Sequence, residues 1–164
     1  MLLRNDAAID EMQGNSPFVP DDFEVPRQLD HAKFRLRPLA VEHNERDYAA
    51  WTTSIEHIEA TPGFVGESWP HPMSLDANRG DLAGHAVDFA ARRGFTYTVL
   101  DERDDVIGCV YIYPGRDERH DARVTSWVCA HCAPLDAELY RAVVGWLDAA
   151  WPFERVDYAS RLSR

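Results

Sequence analysis

The stretch SWVCAHCAPLDAELYRAVVGWL, residues 126 to 147, sets Cys129, His131 and Cys132 close together between an apolar run and an amphipathic one. Two cysteines three positions apart have the spacing of a redox dithiol, and two thiols with an imidazole are three parts of a zinc site. Only 32 residues follow Cys132, too few for the two strands and a helix that follow the pair in a thioredoxin-like domain. A zinc site would need a further ligand from His120 or Cys109, neither of which forms a second close pair. A thiol redox or metal role at Cys129 and Cys132 therefore stays open beside ordinary buried cysteines. The same junction, if a strand hands over to a helix there, offers unpaired amides and a positive dipole end to an anion.

Other chemistry has less to stand on. The remaining histidines form no HExxH-like group, and Gly63 and Gly66 lack the Lys and Ser or Thr of a nucleotide loop. No serine sits in an elbow pattern. Glu67, in the stretch ATPGFVGESWPHPM, and Glu56 before it are conceivable proton acceptors, against an ordinary reading of each as a solvated acid.

The elements that would position these groups follow from periodicity. Residues 1 to 30 carry Pro17, Pro20 and Pro26 without a sustained pattern, apart from a short turn at DAAIDEM, and read as an extended or partly disordered arm. Phe18, Val19, Phe23 and Val25 are available to pin that arm to a single domain spanning 31 to 164. FRLRPL alternates as a strand, and Tyr48, Trp51, Ile55 and Ile58 predict one amphipathic helix of roughly four turns. In the breaker-rich loop that follows, Phe64 and Trp69 are expected to plug the core. Ser74 caps a second helix whose end is expected at a left-handed Gly94. FTYTVL and VIGCVYIY make an antiparallel hairpin across DERDD, and ARVTSWVC continues it. Pro134 opens a third helix, Pro152 stops it, and RVDYAS is a last short strand.

Composition bounds the rest. At 164 residues and 45% hydrophobic the chain supports one core. Its formal charge of -11 repels phosphate backbones and anionic lipid, which excludes nucleic acid as a partner and favours a small amine or a basic peptide. No apolar run approaches the ~18 residues of a membrane span, and three cysteines make no disulfide framework, so a soluble, cytoplasmic protein is expected.

The order strand, helix, helix, hairpin, strand, helix, strand over residues 34 to 158 resembles the GNAT superfamily of acetyl-CoA-dependent N-acetyltransferases. The likeness is strongest at YTVLDERDDVIGCVYIYP, a strand, an acidic turn and an apolar strand opening on Ile107 and Gly108. The resemblance implies an α+β fold of three layers, with a mixed, mainly antiparallel sheet of about five strands and helices on both faces.

It also implies a site. The strand at 122 to 129 would splay from its neighbour and offer backbone at Trp127, Val128, Cys129 and Ala130 to the pantetheine arm, and the next helix would meet the pyrophosphate near Leu135 and Ala137. The departures are as plain. No glycine stands in that junction, and Asp136 and Glu138 occupy it; at ~6 Å each would repel a phosphate charge by about 3 kcal/mol at an effective dielectric near 20. Acids in a first helical turn also complement the dipole. The chain stops where relatives add a helix and two strands that often supply a tyrosine to protonate the departing thiolate. Tyr158 is the one tyrosine near that place, and a partner subunit in a homodimer is a second source of missing strands. The expected function is an atypical, shortened N-acyltransferase with acetyl-CoA as co-substrate, Glu67 and Tyr158 as catalytic candidates and no metal. The alternative is a catalytically silent ligand-binding or interaction module on the same fold.

Overall fold

A computed structural model describes residues 16 to 162. Its elements are β1 (Leu29–Asp30), β2 (Arg35–Pro38), a 3-10 turn (Val41–His43), α1 (Asn44–Thr52), α2 (Ile55–Glu59), α3 (Leu75–Ala90), β3 (Phe95–Leu100), β4 (Val106–Pro114), β5 (Ala122–Val128), a 3-10 turn (Ala130–Cys132), α4 (Leu135–Ala150) and β6 (Val156–Tyr158). One sheet holds all six strands in chain order. Every neighbouring pair is antiparallel except β5 and β6, which are parallel because α4 carries the chain back across the sheet. The sixth strand beyond the five expected is the two-residue β1, at the end of the stretch read as an arm.

Alternation along the strands divides the core into two layers. Val124 and Val128 of β5 pack with Leu139, Val143 and Leu147 of α4 on one face. Trp127 and Cys129 face the other way, toward Trp51, Ile58 and Leu82 of the first three helices. Helices thus cover both faces, and Phe64 and Trp69 are packing residues: Phe64 is buried, and the Trp69 ring lies 5.5 Å from Trp51 and 6.1 Å from Trp127.

The described part of the N-terminal stretch lies on the α4 face. Val19 is buried, Phe18 stacks on Phe95 and Phe153, and the Tyr97 hydroxyl donates to the Pro26 carbonyl at 2.6 Å. The DAAIDEM turn lies outside the described residues.

Two local expectations are corrected. The single helix over Tyr48 to Ile58 is two, α1 and α2, broken at Ser54 with φ -130 and ψ 19. The hydroxyls of Thr52 and Thr53 donate back to the Tyr48 and Ala49 carbonyls at 2.6 and 2.8 Å, and such back-bonding competes with the helical ladder. The left-handed residue after α3 is Arg92, at φ 61, and not Gly94. Gly94 is required by space: a Cβ there would lie 2.2 Å from a ring carbon of Tyr113.

The hairpin between β3 and β4 turns through residues 101 to 105, where Asp101 Oδ1 accepts from the backbone N–H of Arg103 and Asp105. A register shift after Val99 leaves Ile107 as an extra residue in β4. Gly108 follows it, and a side chain there would strike the Trp127 carbonyl oxygen at 2.3 Å, so glycine sets how closely β4 and β5 approach.

Candidate functional site

The pairing of β5 with β6 covers only Ala122 to Val156, Arg123 to Asp157 and Val124 to Tyr158. Beyond Tyr158 the two strands part. The other edge of β5 stays paired with β4 as far as Gly108 and Val128, and Cys129 N–H donates to the Ile107 carbonyl at 2.8 Å. What remains is a wedge bounded by the β6-side edge of β5 from Thr125 onward, the departing chain after Tyr158, and the N-terminal turn of α4.

Side chains of the protein itself fill this wedge. The Tyr158 hydroxyl lies 2.6 Å from Ser126 Oγ, and its ring lies 4.8 Å from that of Tyr140 on α4. Burial pushes the Tyr158 hydroxyl up to about 12, so it holds its proton at neutral pH. Behind it, Arg161 turns inward with a side chain only 3% exposed. Its guanidinium donates to the Ser126 carbonyl at 2.8 Å, to the Ala159 carbonyl at 2.6 Å and to Asp136 Oδ2 at 3.1 Å.

The acids of the first α4 turn each have a cation. Asp136 pairs with Arg161, and Glu138 accepts from Lys33 Nζ at 2.7 Å, which holds the Glu138 carboxyl below the usual carboxylate range. The repulsion expected of two free acids is therefore largely cancelled by these neighbours. Ala137 and the half-buried Leu135 share this turn.

The other expected residues are spread over both faces. Trp127 is buried on the α1–α3 face with Nε1 donating to Tyr111 at 3.1 Å. Val128 faces α4, and Ala130 N–H donates to Ser54 Oγ at 3.0 Å. Glu67 stands 2.9 Å from Arg116 and 3.3 Å from Arg123 of β5, and these guanidiniums, Arg116 first, hold its carboxyl below the usual range. A carboxylate so paired is a weak base. Arg123 and Trp127 share the face that lies against α1–α3, whereas Tyr158 packs on the α4 face, so the two catalytic candidates are on opposite sides of the sheet. Glu56 is exposed.

Cys129 is buried with Sγ 3.7 Å from the Ala50 carbonyl, and burial pushes its thiol up to about 11; burial raises Cys132 as well. That is the reverse of what a nucleophilic or redox thiol needs. All three cysteines are free, and among the described residues no group of three or more His, Cys, Asp and Glu side chains could hold a metal. Among the same residues no helix is long and apolar enough to cross a membrane.

Two features escaped the sequence reading. One is Arg161, which lies past the last strand and carries no periodic signal. The other is a buried polar cluster between α1 and α3. Asp47 accepts from Asn78 Nδ2 at 3.0 Å, the same amide donates to Asn44 at 2.8 Å, and Asn78 Oδ1 accepts from Trp51 Nε1 at 3.0 Å. Asp47 was visible in principle, because it stands four residues before Trp51 on the apolar stripe of its helix.

No protein-family model matches the sequence, and no curated protein matches it. Solved structures do match in shape. A ribosomal-protein-S5-alanine acetyltransferase from Vibrio fischeri superposes with a TM-score of 0.60 at 15% identity, over 81% of this chain and 72% of that one. A protein described as a GNAT-family acetyltransferase from Bordetella pertussis gives 0.55 at 16% identity, over 80% and 76%. The microcin C7 self-immunity acetyltransferase MccE, solved with acetyl-CoA and AMP, gives 0.57 at 11% identity, over 73% and 66%. The chain has the GNAT fold, and its three-layer architecture agrees with that expected from the order of its elements.

Proposed function

We propose that this GNAT-fold chain is an N-acyltransferase that moves an acetyl or acyl group from coenzyme A to an amine, with its donor site at the parting of β5 and β6. The observation that carries the reading is the juxtaposition at that wedge of a β5 edge without a strand neighbour among the described residues, the N-terminal turn of α4 and the protonated Tyr158 hydroxyl. A strand edge without a neighbour has amide and carbonyl groups for an extended amide-bearing arm, and a helix N-terminus suits an anion. Tyr158 retains a proton that a departing thiolate would need. Neither Glu67 nor Glu56 shares its face, so of these three candidates Tyr158 is the one this geometry supports.

The acceptor is an amine. Structural neighbours include an acetyltransferase of ribosomal protein S5 alanine and another of the L7/L12 α-amino group. A basic peptide with a free N-terminus fits the charge of -11 and is the acceptor class to try first. Dimerisation through the short outer edge of β6 belongs to the same proposal.

A second reading is favoured by one observation. Arg161 occupies the wedge, and no glycine loosens the turn into α4. A silent GNAT-fold binding module would carry such a plug permanently.

The experiment is thermal unfolding with and without millimolar coenzyme A and acetyl-CoA, joined to mass spectrometry of a basic peptide incubated with protein and acetyl-CoA. A ligand at 100 times its dissociation constant adds about 2.7 kcal/mol. A raised midpoint together with an acetylated peptide supports transfer. A raised midpoint with unmodified peptide supports the silent module, and an unmoved midpoint shows that the unaltered protein does not take up coenzyme A.

A further inference from the structure

Arg161 puts a charged side chain into the wedge that a strand neighbour or a ligand would otherwise fill. A guanidinium almost wholly removed from water must spend its N–H groups on acceptors, and this one uses three. Its choice of acceptors is informative. The Ala159 carbonyl is local, two residues back in the chain. The Ser126 carbonyl lies on the unpaired edge of β5, and Asp136 lies in the first turn of α4. Those two belong to the strand edge and the helix end proposed above as the donor site.

The plug is held by side-chain hydrogen bonds, outside the ladder of the sheet. Arg161 sits beyond the last strand, in a stretch without helix or strand, next to Leu162, which is 48% exposed. Rotating it out breaks no ladder of the sheet. Its partner Asp136 is only half satisfied: Oδ1 is buried and has no hydrogen-bond partner among the described residues, while Oδ2 holds Arg161. A buried unpaired carboxylate oxygen costs free energy, and a ligand donor that reached Oδ1 would relieve that cost.

We propose that Arg161 is an autoinhibitory latch, closing the wedge between β5 and β6 against ligands of the coenzyme A class until it gives up the Ser126 carbonyl and Asp136. This inference rests on the donor-site reading. An incoming amide N–H takes over the Ser126 carbonyl, and the freed guanidinium is then open to anionic groups at the mouth of the wedge. No covalent bond is made or broken in the switch.

The test is the dissociation constant for coenzyme A, measured by calorimetry on the full chain and on Arg161→Gln, Asp136→Asn and the double variant, each checked for its fold by circular dichroism. The double variant removes the latch without leaving a lone buried charge, so it guards against misfolding of Arg161→Gln alone. The latch requires at least tenfold tighter binding by the double variant than by Asp136→Asn alone, which has already lost the carboxylate that repels phosphate but keeps the guanidinium in place. Equal measurable affinity in both overturns the latch and leaves the donor site standing. No binding by any folded variant at millimolar coenzyme A overturns the latch and the donor-site reading together.

Discussion

Asp47 is 4% exposed, and its carboxylate accepts a 3.0 Å hydrogen bond from the side-chain amide of Asn78, with no ion pair to it among the described residues. Burial is the main reason its carboxyl is pushed up to about 6, with the Asn78 bond acting in the opposite sense.

A raised carboxyl favours the folded state where it is protonated. Its contribution is fully present below the ordinary aspartate value near pH 4 and is lost as pH rises through about 6. Asp47→Asn should therefore stabilise the protein above pH 7 by roughly 2 kcal/mol and leave it nearly unchanged at pH 4. Urea midpoints of both proteins from pH 4 to 8 check this; parallel curves would refute it.

Gly94 and Gly84 should respond in opposite directions to the same substitution. A methyl at Gly94 meets the Tyr113 ring, whose hydroxyl donates to Asp88 and lies 2.8 Å from His85, so Gly94→Ala should cost about 1 to 3 kcal/mol. Gly84 lies inside α3 with open space around it, and Gly84→Ala should gain about 1 kcal/mol. Thermal midpoints moving the same way would contradict the packing of α3 on β4.

Thiol labelling separates the cysteines. Cys109 is fully buried, Cys129 is buried with a thiol near 11, and Cys132 is half-buried. A thiol reagent at pH 8 should modify Cys132 in the native protein and the other two only after unfolding. Rapid loss of both Cys129 and Cys132, or a disulfide between them under mild oxidant, would restore the dithiol reading.

Tyr158→Phe removes the partner of Ser126 Oγ at 2.6 Å and should destabilise the fold by about 1 kcal/mol. Ser126→Ala breaks the same bond from the other side and should cost a similar amount. If acyl transfer is detected, Tyr158→Phe should lower kcat with little change in KM for acetyl-CoA, while Ser126→Ala leaves kcat near that of the unaltered protein. Equal losses in both would reduce Tyr158 to a packing residue.

The amino-acid order by itself determined β2 to β6, the Ser74 cap, the faces of β5 and the sense of the chain through the sheet. Those features follow from two- and three-to-four-residue periodicities and from breakers, which act between near neighbours. Ser74 shows it: the hydroxyl expected to cap α3 accepts from Ala77 N–H at 3.0 Å. The break between α1 and α2 had a local cause, the paired Thr52 and Thr53, that a simple apolar count passes over.

Tertiary structure alone decided the site. It set Glu67 and Tyr158 on opposite faces, gave Asp136 and Glu138 their cations from Arg161 and Lys33, and enclosed Asp47 between two helices. Arg161 and Ser126 stand 35 residues apart in sequence, yet one closes on the other's carbonyl. Charge and burial at a wedge between diverging strands depend on which distant side chains arrive there, and no local period in the chain encodes that arrival.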